Sequence, residues 1–205
     1  MIVKVCGLRD PENIRAVDRL AVDLCGFIFY PRSPRCVPDD ELHTEAVRSC
    51  RKPAAGVFVD ASPTEMLRTA GRFGLGWLQL HGDESPEACG ELRQRGFRII
   101  KAIRVAAAGD LAAARAYEDC ADYLLFDTRC DGYGGSGRRF DWRVLDAYTG
   151  RVPFLLSGGI DAGCADAVRG FAHPRFAGVD LNSGFETAPA VKDAGKLEEF
   201  IAKIQ

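Results

Sequence analysis

The sequence lacks the cysteine and histidine patterns that typically hold structural metals or build disulfide frameworks. Its eight cysteines are scattered along the chain, no two of them form CxxC, and only three histidines are present. The N-terminal segment MIVKVCGLRD reaches charged residues too early for a signal peptide. We therefore expect no metal site, no disulfides, reduced thiols and a cytoplasmic location.

Blocks of like charge and long apolar runs are also missing. Lys and Arg number 27 against 29 Asp and Glu, so the net charge is −2. This balance gives no indication of a nucleic-acid partner, and no apolar run reaches the length of a membrane span. Hydrophobic residues make up 47% of the chain and charged residues 27%, which is ordinary for a globular protein. With 205 residues, we expect one domain over 1–205.

What the chain does contain is a regular alternation of short apolar runs and helical patterns. The strand-like runs are 1–6, 24–30, 55–59, 77–80, 98–105, 123–126, 153–156 and 176–181. Helix starts are marked by Asp10-Pro11, by the capping box Ser62-Pro63-Thr64-Glu65 and by Ser85-Pro86, and further helical patterns cover 39–50, 111–117 and 192–204. Alternation of this kind predicts parallel strands joined by helical crossovers.

Eight such units predict an α/β fold, specifically a single-domain (β/α)8 TIM barrel close to the lower size limit of that fold. An open, doubly wound sheet is the alternative. It is less favoured because no GxGxxG motif follows the first strand and no second domain is indicated.

Chemically useful residues stand where several of these strands end. Cys6 ends the first apolar run, and His81 and Asp127 follow the fourth and sixth runs. The pair Gly158-Gly159 follows the seventh run, and Asn182-Ser183-Gly184 follows the eighth. Barrel enzymes place their active sites at this face and commonly bind phosphate after strands seven and eight. These positions therefore predict an active site with a phosphate-binding region.

Asp127 opens a loop that is rich in glycine, at positions 132, 134, 135 and 137. A carboxylate at the end of a buried strand can serve as an acid or a base, or it can only cap a turn. The residues of this stretch alone leave both interpretations open. We expect Gly135-Ser136-Gly137 to take part in closing over a ligand, as loops near barrel mouths often do.

In order and over essentially its whole length, the chain resembles phosphoribosylanthranilate isomerase. The segments that carry the resemblance are KVCGLRD (4–10), GFIFYPRSPRCV (26–37), GVFVD (56–60), LQLHGDES (78–85), KAIRV (101–105), LLFDTRCDGYGGSGRRFDW (124–142), LLSGGI (155–160) and GVDLNSGFETAPAVKD (178–193). The resemblance implies the Amadori rearrangement of N-(5-phosphoribosyl)anthranilate to 1-(2-carboxyphenylamino)-1-deoxyribulose 5-phosphate in tryptophan biosynthesis. It implies no cofactor for this step.

The resemblance also implies the two catalytic roles. Asp127 corresponds to the general acid that opens the sugar ring, and Cys6 corresponds to the general base that removes the C2′ proton. These roles require a protonated Asp127 and a deprotonated Cys6 near neutral pH. The competing interpretation of Cys6 is a buried packing residue, since cysteine is among the most buried residue types.

The expected substrate contacts follow from the same resemblance. Arg35 is implied to hold the anthranilate carboxylate, a contact that suits a planar guanidinium. Asp180 is expected on the anthranilate side of the substrate, with a capping role as the alternative. His81 is expected to contact the substrate or to pack beside it, with no chemical step assigned. The phosphate is expected at Gly158, Gly159, Asn182, Ser183 and Gly184.

Three other functions compete with this one. A related barrel isomerase of histidine biosynthesis, ProFAR isomerase, would use a carboxylate pair, whereas the first strand here ends in cysteine. Indole-3-glycerol-phosphate synthase would be expected to carry an N-terminal extension. A non-catalytic phosphoribosyl-ligand binder would need neither Cys6 nor Asp127. The expected partner is a small phosphorylated substrate, with no nucleic acid and no membrane, and the chain is expected to be a monomer or a homodimer.

Overall fold

A computed structural model describes residues 1–128 and 141–205 of the chain, and its long strands form a closed parallel barrel. The barrel strands are β1 (Ile2–Val5), β2 (Leu24–Ile28), β3 (Ala54–Phe58), β4 (Trp77–Leu80), β5 (Arg98–Val105), β6 (Tyr123–Thr128), β7 (Phe154–Leu156) and β8 (Phe176–Leu181). Each strand pairs with the next, and β1 pairs with both β2 and β8, which closes the ring. The (β/α)8 barrel predicted from the sequence is therefore confirmed.

Helical segments connect the strands on the outside of the barrel. The α-helices are α1 (Pro11–Asp18), α2 (Glu41–Arg48), α3 (Pro63–Phe73), α4 (Pro86–Gln94), α5 (Ala165–Gly170) and α6 (Ala194–Ile204). The predicted starts of α1, α3 and α4 are confirmed, because Asp10, Ser62 and Ser85 each accept a hydrogen bond from a backbone N–H of the first turn. No helix in these two described stretches is both long and apolar enough to cross a membrane.

Two details of the connections differ from the sequence-based expectation. The alanine-rich stretch after β5 forms a 3-10 helix, Ala108–Tyr117, in place of an α-helix. Its buried residues Leu111 and Ala114 are three apart, which matches three residues per turn. Strand β6 also continues through Thr128, so Asp127 lies inside the strand.

A small antiparallel ribbon after β8 was not predicted. It pairs β9 (Glu186–Ala188) with β10 (Val191–Lys192), and Ala190 in its turn has a φ of 68°, a left-handed conformation that is costly for a residue with a Cβ. The 3-10 turn Ser183–Phe185 joins β8 to this ribbon. The ribbon carries Glu186 and Lys192 back toward the barrel.

The barrel interior is layered, because alternate side chains of each strand point inward. Its lower layer is apolar and contains Leu24, Ala55, Ile100, Ala102, Leu125 and Leu155. Lys4, Gln79 and Asp180 are nevertheless buried polar residues on the barrel strands. They lie on the inward-facing positions that lead up to the carboxyl ends of β1, β4 and β8. A polar layer therefore separates the apolar floor of the barrel from its open end.

Candidate active site

The carboxyl ends of the strands surround a pocket of about 720 Å³ that opens to solvent. Eight of the residues predicted from the sequence line it: Cys6, His81, Asp127, Gly158, Gly159, Asp180, Asn182 and Ser183. Gly184 follows directly in the turn after β8, and Arg35 lies beside the pocket without lining it. The fold thus brings together side chains that are up to 177 positions apart in the sequence.

Cys6 is the deepest of the reactive groups in this pocket. It comes directly after β1, its side chain is 3% exposed, and burial raises the pKa of its thiol. The ammonium groups of Lys4 and Lys192 oppose this rise of the Cys6 pKa, because positive charge favours the thiolate. Cys6 is therefore a buried thiol that two ammonium groups influence, while the negative charge of Asp180 acts in the opposite direction.

Lys4 forms an ion pair with Asp180 below Cys6. Its Nζ lies 2.8 Å from Asp180 Oδ1, and the two residues are 0% and 5% exposed. Burial by itself would lower the Lys4 pKa, but Asp180 and Cys6 outweigh it, so the pKa of Lys4 is raised and the side chain stays charged. Asp180 therefore serves as the partner of a buried lysine as well as lining the pocket.

His81 connects the fourth strand end to Asp127. Its Nε2 lies 3.2 Å from Asp127 Oδ2, and its Nδ1 lies 2.8 Å from the amide nitrogen of Gln79. An amide donor at Nδ1 leaves the ring proton on Nε2, which then donates to Asp127 Oδ2. The other carboxylate oxygen, Oδ1, accepts the backbone N–H of Thr128 at 2.8 Å. The orientation of Asp127 is therefore set from both sides.

Arg35 makes a bidentate ion pair with Glu186 from the ribbon. The Arg35 Nε and Nη2 atoms lie 2.8 Å and 2.6 Å from the two Glu186 oxygens. The Lys192 ammonium, which is completely buried, also contacts Glu186 at 2.6 Å and Asn182 Oδ1 at 2.7 Å. These charge-assisted bonds lower the pKa of Glu186 in spite of its burial. They tie the loop after β2, the turn after β8 and the ribbon together at the rim of the pocket.

Gly158, the first of the two glycines after β7, packs directly against Asp127. Gly158 and Gly159 have φ values of 82° and 66°, in the left-handed region that favours glycine. A Cβ at Gly158 would lie 2.7 Å from Asp127 Oδ1 and would also clash with Thr128. A side chain at Gly158 would therefore displace Asp127 or Thr128, and without one the glycine backbone itself lines the pocket.

Several residues of the candidate site escaped the sequence-based prediction. Lys4 and Gln79 interrupt apolar strands two residues before Cys6 and His81, and this spacing puts each pair on one face of its strand. That signal could have identified both. Glu186 and Lys192 gave no comparable signal. Their positions depend on the β9–β10 ribbon, which the hydrophobic pattern of the sequence does not predict. Gln79 Oε1 is buried without a hydrogen-bond partner in the described part of the chain, so it can accept a bond from a ligand.

No group of three or more His, Cys, Asp or Glu that could hold a metal ion occurs among residues 1–128 and 141–205. The seven cysteines within those ranges are free thiols. The predicted closing segment Gly135-Ser136-Gly137, with Gly132 and Gly134, lies outside the described residues.

Comparison with known proteins decides the family. The family model described as "N-(5'phosphoribosyl)anthranilate (PRA) isomerase" matches residues 3–203. A protein of Parabacteroides distasonis named N-(5'-phosphoribosyl)anthranilate isomerase is 53% identical over 207 residues, covering 100% of this chain and 93% of its own length. The chain belongs to the phosphoribosylanthranilate isomerase family.

Solved structures of phosphoribosylanthranilate isomerases share the fold. The crystal structure of the Thermotoga maritima protein matches with a TM-score of 0.83 at 31% identity, covering 100% of this chain and 98% of that chain. A further phosphoribosylanthranilate isomerase, described as a complex with reduced 1-(o-carboxyphenylamino)-1-deoxyribulose 5-phosphate, matches with a TM-score of 0.80 at 28% identity and covers 100% and 98% of the two chains.

Proposed function

We propose that this protein catalyses the Amadori rearrangement of N-(5-phosphoribosyl)anthranilate to 1-(2-carboxyphenylamino)-1-deoxyribulose 5-phosphate in tryptophan biosynthesis, with residues 1–205 acting as one catalytic domain. The observation that carries the proposal is the joint presence of Cys6, His81 and Asp127 in one pocket of a chain of this family. A ligand binder without catalysis would need neither the acid nor the thiol.

The reaction begins with opening of the ribose ring. In our proposal Asp127 donates its proton to the ring oxygen, the C1′–O bond breaks, and the anthranilate nitrogen supplies the electron pair that forms a C1′=N iminium. His81 acts through Asp127, because its Nε2 lies 3.2 Å from Oδ2 and fixes the direction of the carboxyl group. General acid catalysis of such a step contributes about 10²–10⁴-fold.

The second step removes the proton from C2′. The Cys6 thiolate accepts this proton and becomes a thiol, the C–H electron pair forms the C1′=C2′ bond, and the iminium nitrogen becomes neutral. The enolamine formed in this way then tautomerises to the ketone of the product. We propose Cys6 for this role because it lines the same pocket as Asp127 and has two ammonium groups nearby that favour its thiolate.

The ends of the substrate are assigned to opposite sides of the pocket. We propose that the phosphate binds at Gly158, Gly159, Asn182, Ser183 and Gly184, where left-handed glycines bring backbone N–H groups to the pocket wall. Arg35 is proposed for the anthranilate carboxylate. Its Nε–Nη2 edge is bonded to Glu186, so this contact would use the second edge, Nη1–Nη2, which has the same fork shape. Asp180 is proposed on the anthranilate side.

A direct assay tests the function. N-(5-Phosphoribosyl)anthranilate is generated from anthranilate and phosphoribosyl pyrophosphate by its transferase, and the loss of its anthranilate-type fluorescence is followed with purified protein and no added metal or nucleotide. We expect loss well above the spontaneous breakdown, with the aminoketose as the product identified by mass spectrometry. A folded protein that does not accelerate the loss would contradict the proposal. A monomeric or homodimeric state and a cytoplasmic location stay predictions.

A further inference from the structure

Lys4 is a buried charge to which the proposed mechanism assigns no proton transfer and no contact with the substrate. It is 0% exposed and lies in β1, two residues before Cys6, so both side chains belong to the face of β1 that points into the barrel. Lysine is almost never fully buried without a partner, since removing an ammonium from water is costly. A completely buried lysine beneath the proposed base therefore needs an explanation.

The contacts of Lys4 connect two residues of the site. Its Nζ lies 2.8 Å from Asp180 Oδ1 on the neighbouring strand β8, where Lys4 and Asp180 are direct partners in the strand register. The charge of the same ammonium also acts on the Cys6 thiol and favours its thiolate form. One lysine thus binds a carboxylate directly, while its charge acts on a thiol two residues further along the same strand face.

Gly26 provides the space in which the thiol and the ammonium meet. A Cβ added at Gly26 would lie 2.9 Å from Cys6 Sγ and 3.1 Å from Lys4 Nζ. Both distances are shorter than ordinary van der Waals contact, so any side chain at this position would have to displace one group or the other. A glycine at position 26 of β2 is therefore required for the Cys6 thiol and the Lys4 ammonium to occupy these positions.

Other charges around Cys6 are arranged in balanced pairs. Lys192 on β10 and Arg35 after β2 both act on the thiol electrostatically, but Glu186 binds both of them and offsets part of their charge. Asp180 on β8 adds negative charge that disfavours the thiolate. Asp127 and His81 face Asp180 from β6 and from the end of β4. Among these groups, Lys4 is completely buried and is the cation that most strongly opposes the effect of burial on the Cys6 pKa.

We propose that Lys4 is a positioning residue for the isomerisation: its ammonium, anchored by Asp180, is the counter-charge that stabilises the thiolate of Cys6. Asp180 keeps the lysine protonated and oriented, and Gly26 lets the two groups approach. The part of this inference that concerns the reaction rests on the proposed function, since there Cys6 is the base. The pairing of charges is a property of the free protein.

Titration of Cys6 in the Lys4→Met variant tests the inference. Methionine has a similar length but no charge. Alkylation by iodoacetamide is measured as a function of pH in the absence of substrate, and mass spectrometry of the peptide that contains Cys6 separates this thiol from the other cysteines. We expect the apparent pKa of Cys6 to rise by about 1–3 units, the effect of losing an opposite charge at close range. The acidic limb of kcat/KM is expected to move to higher pH by the same amount.

Lys101→Met is the matched control. Lys101 is another buried lysine of the barrel, 2% exposed, and is paired with Glu84 at 3.0 Å, but it does not line the pocket that contains Cys6. Its replacement is expected to lower stability without moving the Cys6 titration. A Cys6 pKa that stays within about 0.3 units of the wild-type value in a folded Lys4→Met protein would overturn the inference.

A second measurement needs no substitution at Lys4. In protein labelled with ¹⁵N-lysine, the ammonium resonance of Lys4 should shift with pH, with the same midpoint that alkylation gives for Cys6. This shift should be absent in Cys6→Ser. The same spectra of Lys192→Met show whether any of the shifted signal belongs to Lys192. If no lysine resonance follows the Cys6 titration, the inference fails even when Lys4→Met does not fold. Both titrations use the free protein, so they distinguish this failure from a failure of the isomerase assay.

Discussion

Arg35 and Glu186 are joined by two parallel hydrogen bonds although 151 positions separate them in the sequence. The Glu186 carboxylate also accepts the Lys192 ammonium and the backbone N–H of Ala190. An arginine held along one edge keeps its other edge in a fixed direction, and bidentate pairs are the geometrically most specific of charge-assisted bonds. Glu186 therefore fixes the guanidinium that is proposed to receive the anthranilate carboxylate.

Replacement of Glu186 by Gln should weaken substrate binding and leave the chemical step nearly intact. We expect KM to rise about 3- to 30-fold with kcat within about twofold, because the change removes an anchor of Arg35 worth about 1–2 kcal/mol. Steady-state kinetics on the isomerase reaction measure both constants. Glu91→Gln, at an exposed glutamate on α4, is the matched control. A lower KM in Glu186→Gln would show instead that Glu186 competes with the substrate for Arg35.

Loss of either proposed proton-transfer group should reduce turnover far more than affinity. Cys6→Ala and Asp127→Asn are each expected to lower kcat by at least about 10²-fold, the lower end for removal of a general base or acid. Binding of the reduced product analogue, measured by calorimetry, should change by less than about tenfold. Cys89→Ala, at a buried cysteine outside the pocket, controls for the loss of a thiol. Near-normal turnover of either variant would remove that residue from the mechanism.

The contact between His81 and Asp127 predicts a graded effect of substitutions at position 81. His81→Leu removes the donor to Asp127 Oδ2 and should lower kcat about 10- to 100-fold, the range for a buried group that loses its hydrogen-bond partner. The amide nitrogen of Gln can occupy a position close to that of Nε2, so His81→Gln should lose less than about tenfold. Equal losses in the two variants would contradict an orienting hydrogen bond and favour a packing role.

Buried thiols predict that the protein loses stability in alkali. Burial raises the pKa of Cys89 to about 12, above its ordinary value of 9.0. A raised folded-state pKa gives stability that is complete below the unfolded pKa and is lost as pH rises from that value toward the folded one. At about pH 10.5, Cys89 alone should account for roughly 1–2 kcal/mol of lost stability. Tyr117 and Tyr148, whose pKa burial raises to about 12, add to the loss above about pH 10.

Urea denaturation near pH 8 and near pH 10.5 measures this loss. Cys89→Ala lowers stability at both pH values because it leaves a small cavity, but the difference between the two pH values should shrink by about the contribution of one thiol. An unchanged difference would mean that Cys89 ionises in the folded protein as readily as in the unfolded chain.

A second buried ion pair, between Lys101 and Glu84, should matter for stability. The Lys101 ammonium binds Glu84 and the backbone oxygens of Leu80 and Gly82, while Glu84 also accepts the N–H groups of Asp60 and Gly82. Lys101→Met leaves a buried carboxylate without its cation and should cost roughly 3–5 kcal/mol. Adding Glu84→Gln to it should recover part of this loss, which a double-mutant cycle by chemical denaturation measures. Additive losses would show that the two charges are not coupled.

Much of the barrel can be predicted from the sequence, because each strand is a short apolar run bounded by turn or cap residues. Strands β4, β5 and β8 begin and end where the apolar pattern does. The helical type of Ala108–Tyr117 could not be predicted, since alanine propensity favours an α-helix and only the tertiary packing selects the tighter turn. The local sequence pattern thus predicts the positions of strands and helices better than it predicts whether a helix is an α-helix or a 3-10 helix.

The pocket was only partly predictable. Cys6, His81 and Asp127 could be recognised because strand ends meet at one face of a barrel. The bond from Arg35 to Glu186 could not, because it depends on how a ribbon of five residues folds back over the barrel mouth. Lys4 is an intermediate case. Its position inside an apolar strand indicates a buried charge, but its partner is 176 positions away.

The pairing of β1 with β8 has a consequence for the newly made chain. During synthesis, the segment with Lys4 and Cys6 leaves the ribosome long before the strand with Asp180 exists, and closing so long a loop is among the slowest events in folding. Until the ring closes, the ammonium beside Cys6 has no carboxylate and the pocket has no phosphate side. A stalled or truncated chain would therefore lack the assembled pocket, and isomerase activity would report the completed protein alone.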